Sequence, residues 1–438
     1  MFQTIELVEY ESRRVRATRG PTTADLELAA RLSAGGDLDP RLEIRWLASG
    51  DLEVRASSWI GVARFSSVEI RVVPKLAGGT LRVLRMLEYT AGVRLLAHLP
   101  IDRQLPADGT DLFELVVMLL IEETRQLLRD GLIRDYRPVD DTLDVMRGRL
   151  RIRDQFLRRY GTLHRLECHF DEYDGDVVEN QLLAAAFAAA SPRVRDPDVR
   201  LNAQSLASLL AGICVPRTRD PDWYARRIVY GRLNDRYRPA HELAVLVLNG
   251  LALRDLFDTS SGRVTAFMLN MNVVFERFVT RLVDDALAGS RLRASAQTSY
   301  RAVILDENTG QNYSTIRPDL VITDTETGLT VPVDIKYKLY DSRKFGPGDI
   351  YQLFLYAYAL GDDESPRVAG LIYPTTASTS GPVLHIAPHA GAVGARIRGA
   401  GLNLPATLDA LAESSTESVH ASVRAMIETI TGLAAAIA

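Results

Sequence analysis

Asp319, Asp334 and Lys336 are the residues whose types and spacing bear most directly on chemistry. Asp334 and Lys336 belong to the run Val333-Asp334-Ile335-Lys336. Side chains alternate along a strand, so this acid and this ammonium share one face while Val333, Ile335 and Tyr337 share the other. Asp319, fifteen residues earlier in Arg317-Pro318-Asp319-Leu320-Val321-Ile322, lies on the preceding predicted strand, and a hairpin turn at Thr327-Gly328 brings the two strands side by side. Two converging carboxylates suit a hard divalent cation, Mg2+ or Mn2+ in its place, and the Ile335 carbonyl between Asp334 and Lys336 is a further oxygen ligand to consider. Such an ion lowers the pKa of its water and neutralises charge developing on a phosphodiester, while Lys336 beside it would orient or help deprotonate that water. The lysine distribution points the same way. Lys336, Lys338 and Lys344 are three of only four lysines; apart from Lys75, all other side-chain ammonium or guanidinium charge is arginine. Lysine is a compact charge whose pKa responds to burial, arginine a fork that stays charged. The plain alternative is three solvated lysines on a loop.

Further residues fall into order around this trio. Upstream, Glu276 stands beside the apolar stripe Phe275, Phe278, Val279, Leu282 and Val283; it is either a boundary residue of a packed helix or a third acid aimed at the metal. Downstream, Gln352 and Tyr356 are four residues apart on a predicted helix and share a face, Gln352 a candidate for catalysis and Tyr356 for DNA contact; taken alone, an amphipathic helix packed on the sheet is the simpler reading of the pair. Lys338, Arg343 and Lys344 follow the active-site strand and are positioned either to meet a phosphate backbone or to form a solvated loop.

These residues need a scaffold. The first region, 1–76, alternates with period two, as in Leu42, Ile44 and Trp46 or Val68, Ile70 and Val72, and is expected to form a small β domain. From 77 to 258 the period becomes helical. Thr110 is placed to cap a helix from Asp111 whose stripe is Leu112, Leu115, Val116, Leu119 and Leu120, with Gly131 at its end. The third region, 259–438, reads helix (269–288), strand (295–306), strand (316–323), turn (325–328), strand (329–337), helix (350–360), strand (368–373). The class is α+β multidomain. At 438 residues the chain has room for about three domains. A net charge of -4, from 52 basic and 56 acidic residues, argues against a surface coated for phosphate but allows a local basic groove. Cys168 and Cys214 make neither a disulfide framework nor a four-ligand zinc site, although Cys168-His169 could be half of one. No signal-peptide pattern opens the chain, and the longest apolar stretch, near Ala244 to Leu253, is too short for a bilayer and contains Asn249. A cytoplasmic protein without membrane contact is expected.

In sequence, Glu276, then Pro318-Asp319, then Asp334-Ile335-Lys336, then Gln352 and Tyr356 resembles the PD-(D/E)xK nuclease superfamily, whose restriction-endonuclease-like α/β/α fold is therefore expected for 259–438. The wider chain is similar to the McrC family, nuclease subunits of bacterial restriction systems that cut modified DNA. Trp59-Ile60-Gly61-Val62, Val73-Pro74-Lys75-Leu76, Arg147-Gly148-Arg149-Leu150, Leu269-Asn270-Met271-Asn272 and Phe275-Glu276-Arg277-Phe278-Val279 carry that likeness, with Arg317-Pro318-Asp319 and Asp334-Ile335-Lys336-Tyr337-Lys338.

The resemblance implies a catalytic set of Asp319, Asp334, Lys336, Glu276 and Gln352, with Mg2+ on Asp319, Asp334, Glu276 and the Ile335 carbonyl. It also implies a partner: an McrB-like AAA+ GTPase ring that moves double-stranded DNA, into which the amino-terminal region inserts to stimulate nucleotide hydrolysis. In agreement, none of the four lysines follows a glycine, so there is no Walker A motif here. Arg147 and Arg149 are expected to pair with acids such as Asp140 and Asp141 or to support the middle domain. Two other readings stay open, a regulatory subunit with an inert nuclease fold and a free-standing nuclease.

Overall fold

The alternation at Leu42, Ile44 and Trp46 folds as the strand Leu42–Trp46, in an antiparallel sheet with Asp51–Ala56 at the centre and Ser12–Arg16 at the far edge. The computed structural model describes residues 3–34, 40–75, 79–91, 112–162, 164–215, 221–250, 265–338, 340, 344–361, 367–376, 380–386, 394–413 and 415–433. The expected boundaries near 76 and 258, the cap at Thr110, Asp111 and also Arg343 lie outside these residues.

A helix joins the amino-terminal strands, Thr23–Ser33, which period-two reasoning did not anticipate. Thr22 and Asp25 form a reciprocal capping box, and the Asp25 carboxylate also accepts from the Ser66 N–H at 2.8 Å. Burial pushes the Asp25 carboxyl up, but the N–H donors of Thr22 and Ser66 outweigh it and hold the pKa below its usual value. A cap of this kind is worth about 1 kcal/mol.

A second sheet joins the amino-terminal strands to the segment that leads into the carboxy-terminal region. Its order is Gln3–Val8, Val68–Val73, Trp59–Arg64, Thr265–Asn270, the first pair parallel and the others antiparallel. Gly61, at φ +137°, makes the last pairing feasible, because a Cβ there would lie 2.1 Å from the Phe267 carbonyl oxygen. The helix expected from Leu269 therefore begins at Met271, and the six residues before it form this strand.

In the middle region, helices Leu112–Asp130, Val178–Ala190, Pro197–Ala211 and Arg238–Gly250 pack on one another. Val178–Ala190 is buried on nearly every side, as an apolar helix must be. A three-stranded sheet, Asp135–Leu143, Leu166–Asp174 and Arg149–Leu150, interrupts the helices. Gly148 belongs to it for a backbone reason: φ is +67° and a Cβ would sit 2.3 Å from the His169 carbonyl oxygen. Arg147 stacks over Phe170, 4.2 Å from the ring centroid, and pairs with Glu172 at 3.4 Å; Asp140 pairs instead with Arg151 and His169. The attached helix Ile152–Arg159 buries nothing, leaving Phe156, Leu157 and the following Tyr160 exposed.

The carboxy-terminal region is built on a six-stranded mixed sheet, in the order Leu292–Ala296, Leu320–Asp324, Thr330–Ile335, Arg367–Thr375, Ala395–Asn403, Ser380–Ile386. Strand alternation assigns its two faces. Ala369, Leu371 and Tyr373 form one core with Leu353 and Ala357 of helix Pro347–Leu360. Val333, Ile335 and Ile372 join the main core with Phe275 of helix Met271–Leu287 and Ile427 and Ile430 of helix Thr416–Thr431. Helices thus cover both faces. The single strand expected over 295–306 is two, Leu292–Ala296 and Tyr300–Leu305, because Gln297 adopts φ +47° and turns the chain out of the sheet.

Candidate active site

Thr330–Ile335 is the central strand of this site. It pairs antiparallel with Leu320–Asp324 across the turn at Gly328, φ +73°, and parallel with Arg367–Thr375. Asp334 lies opposite Leu371, on the face covered by Pro347–Leu360. It is 1% exposed, and neither carboxylate oxygen accepts a hydrogen bond of sound geometry; its contact is the Lys336 ammonium, 2.9 Å away. Lys336 is three-quarters buried. Burial by itself would lower its pKa, but the charges of Asp334, Asp319 and Asp349 outweigh that and hold it above the usual value.

Asp319 sits just before the strand Leu320–Asp324, where its Oδ2 accepts from the Ile335 N–H at 2.7 Å. Burial, then the charges of Asp334 and Glu276, push its carboxyl well above the ordinary range. Extending the register of Leu320 opposite Val333 by two residues sets Pro318, which has no N–H, across from Ile335. The strand ladder therefore offers the Ile335 carbonyl no donor there. Two crowded carboxylates and such a carbonyl make an oxygen donor set that fits a hard divalent cation, with water and phosphate completing its shell.

Glu276 arrives from the opposite side, on helix Met271–Leu287. Its Oε1 accepts from Gln297 Nε2 at 2.8 Å, while Gln297 accepts from Arg317 and its backbone N–H donates to the Asp319 carbonyl at 2.9 Å. Glu276 thus reaches Asp319 through its field. Among the described residues no three His, Cys, Asp or Glu side chains gather closely enough to hold a metal. The converging acids are Asp319 and Asp334. A cleft of about 700 Å³ opens beside Glu276, lined by Arg238, Glu242, Arg277, Arg281 and Gln297 among others.

Gln352 and Tyr356 do share a face: Gln352 Nε2 donates to the Tyr356 hydroxyl at 2.8 Å, and that hydroxyl donates to the Arg317 carbonyl at 3.2 Å. Tyr356 is buried and supports the backbone leading to Asp319. Lys338 is committed to both oxygens of Asp349, at 3.0 and 3.1 Å, and Tyr340 donates to the same carboxylate. Lys344 is exposed. Gln297, Tyr340 and Asp349 escaped the sequence reading. Asp349 had a local signal, an acid in the first turn of a helix opened by Gly346-Pro347; Gln297 had none, since its role follows from φ +47°.

Elsewhere, His169 is taken up by Asp140 at 2.7 Å, and Cys168 and Cys214 are free and buried. Among the described residues no helix is long and apolar enough to cross a membrane.

No curated protein matches the chain. It is similar in structure to a chain of the refined half-complex of Thermococcus gammatolerans McrB AAA+ hexamers with bound McrC, at 19% identity and TM-score 0.55 over 93% of this chain and 100% of that one. A chain of the Thermococcus gammatolerans McrBC complex matches at 22% identity and TM-score 0.45 over 65% of this chain and 88% of that one. The first likeness gives an α+β fold shared along nearly the whole length. Residues 54–374 match the family described as McrBC 5-methylcytosine restriction system component, and the chain belongs to that family.

Proposed function

We propose that this chain is the Mg2+-dependent endonuclease subunit of a GTP-driven, cytoplasmic restriction complex that cleaves modified DNA, built on a PD-(D/E)xK nuclease domain spanning 259–438. The observation that carries this reading is the buried Asp334 carboxylate, ion-paired to Lys336 at 2.9 Å and crowding Asp319. An inert scaffold has no need of a buried carboxyl, Asp319, set so close to a second carboxylate that its own ionisation is disfavoured.

Asp319, Asp334 and the Ile335 carbonyl would hold Mg2+, or Mn2+ in its place, which when bound lowers the pKa of water and offsets charge on the phosphodiester. Lys336, whose ammonium lies 2.9 Å from Asp334, would orient the attacking water and stabilise negative charge on the phosphate oxygens. Glu276, through Asp319, adds negative potential that favours a cation. Gln352 and Tyr356 fix the backbone at Arg317 and so set where Asp319 points. Arg238, Arg277 and Arg281 in the neighbouring cleft are suited to the DNA backbone.

The partner we propose is an AAA+ GTPase ring, as in the Thermococcus gammatolerans assembly of McrB AAA+ hexamers with bound McrC. The amino-terminal region, 1–76, would engage it. Exposed Phe156, Leu157 and Tyr160 on the middle region's small sheet module offer an apolar patch of the sort that partners cover. A regulatory subunit with an inert nuclease site is the second reading, favoured by Glu276 standing apart from the Asp319–Asp334 pair.

The test is Mg2+-dependent cleavage of modified and unmodified plasmid by the protein and its Lys336→Ala form, with and without the GTPase and GTP. Cleavage that is lost in the variant and depends on partner and GTP supports the nuclease reading. Stimulated GTP hydrolysis without cleavage in either form would establish the regulatory one.

A further inference from the structure

Tyr337 lies between Lys336 and Lys338 and belongs to neither the ion pair nor the metal ligands, yet its hydroxyl and its carbonyl are both held by the amino-terminal region. Its hydroxyl donates to the buried Glu9 carboxylate at 3.1 Å, and Glu9 also accepts from the Lys75 N–H at 2.7 Å. Its carbonyl accepts from the Tyr10 hydroxyl at 3.2 Å. The turn centred on Tyr337 is tight, with the Lys338 N–H donating to the Lys336 carbonyl at 2.9 Å. The Tyr337 ring packs on Phe275, centroids 5.5 Å apart, next to Glu276.

Tyr10 holds an unfavourable backbone to do this. Its φ is +63°, a region that a bulky aromatic residue rarely adopts, and such outliers persist where surrounding structure over-determines them. The amino-terminal sheet also reaches the site from the other side. Its strand Thr265–Asn270 runs straight into the helix carrying Glu276, and Ser58 fixes that junction by accepting from the Met271 N–H at 3.0 Å and from Asn272 Nδ2 at 2.9 Å. One body therefore grips both the segment bearing Lys336 and the helix bearing Glu276.

We infer that Glu9 and Tyr10 are positioning residues for cleavage: the amino-terminal domain clamps the turn at Tyr337 and so sets Lys336 against Asp334 and the scissile phosphate. This deepens the proposed nuclease reading and rests on it. A partner that shifts the amino-terminal domain would act on cleavage through this contact.

The experiment measures single-turnover cleavage by the full complex with the AAA+ partner, Mg2+ and GTP, over a range of DNA concentrations. It compares wild type, Tyr10→Phe, Glu9→Gln, Lys336→Ala and Ser33→Ala, the last losing a hydrogen bond to the Leu42 carbonyl in the same domain but away from Tyr337. Loss of one positioning hydrogen bond should lower the maximal rate about tenfold in Tyr10→Phe, with half-saturating DNA concentration unchanged, while Ser33→Ala keeps the wild-type rate. Glu9→Gln should behave as Tyr10→Phe does if it folds; Tyr10→Phe removes only the hydroxyl of a half-exposed residue and keeps the ring. The inference is overturned if Tyr10→Phe cleaves at the wild-type rate while Lys336→Ala is dead, or if Ser33→Ala slows cleavage as much. Equal cleavage by wild type and Lys336→Ala would instead sink the nuclease reading beneath it.

Discussion

Lys336 and Asp319 should respond to neutralisation with opposite changes in stability although both variants lose cleavage. Lys336→Met leaves the Asp334 carboxylate, 1% exposed and without hydrogen-bond donors, next to another carboxylate. Removing one partner of a buried pair typically costs 3–5 kcal/mol; the Lys336 side chain is 25% exposed, so we expect about 3 kcal/mol without metal. For a domain of this size that is a melting shift of roughly 6–10 °C. Asp319→Asn has the other sign. It deletes the charge that crowds Asp334 while an amide oxygen can still accept from the Ile335 N–H. Each pKa unit by which burial and the neighbouring charges of Asp334 and Glu276 raise this carboxyl is worth about 1.4 kcal/mol, so the variant should be more stable at neutral pH by roughly 1–3 kcal/mol. The assay is a fluorescence melt in chelator and again in Mg2+, where the cation should stabilise wild type and not Asp319→Asn. A Lys336→Met form as stable as wild type, or a destabilised Asp319→Asn, would refute the reasoning that the site is a strained carboxylate pair held by one ammonium.

The raised Asp319 carboxyl also gives a pH dependence: in metal-free protein its cost is absent below the ordinary value of 3.8 and grows as pH rises toward the folded value, so melting in chelator should fall over that window and flatten in Asp319→Asn. His241 works from the acid side. Burial lowers its pKa from 6.5 to about 4, so stability should fall as pH drops between those values, and His241→Gln melts should lose that component. Gln297→Ala frees Glu276 and Arg317, and a tenfold loss of cleavage rate, on the order of 1.4 kcal/mol, is expected in single-turnover assays with stability little changed. Lys338 is already committed to Asp349, so Lys338→Ala should leave the salt dependence of DNA binding unaltered; a slope smaller by about one would mark it as a phosphate contact.

The hairpin and its charges were legible because they obey local rules. Period-two alternation set Asp334 and Lys336 on one face, and a Gly turn returned the chain past Asp319; the 2.9 Å ion pair and the antiparallel register agree. The four-residue spacing of Gln352 and Tyr356 likewise gave a contact, though one that supports Arg317 rather than reaching outward. What remained hidden depends on distant partners. Nothing near Thr265–Asn270 announces that it will pair with Trp59–Arg64, and a short apolar run there reads as the start of the helix that follows. Glu276 follows the expected order, but its carboxylate is engaged by Gln297, whose φ of +47° no composition signals. Lys338 looked free because Asp349 comes eleven residues later in the chain. The middle region's sheet was missed because Asp135–Leu143 is mostly exposed and rich in charge, so it lacks the apolar alternation by which strands are recognised.

In the proposed mechanism Asp319 and Asp334 hold the divalent cation that Lys336 needs for cleavage. Mn2+ titrated into wild type and Asp334→Asn, followed by electron paramagnetic resonance, with modified-plasmid cleavage assayed in the same samples with partner and GTP, puts this to the test. Wild type should bind the ion and cut, whereas Asp334→Asn should do neither but still stimulate the partner's GTP hydrolysis. An Asp334→Asn protein that binds Mn2+ and cleaves like wild type would contradict it.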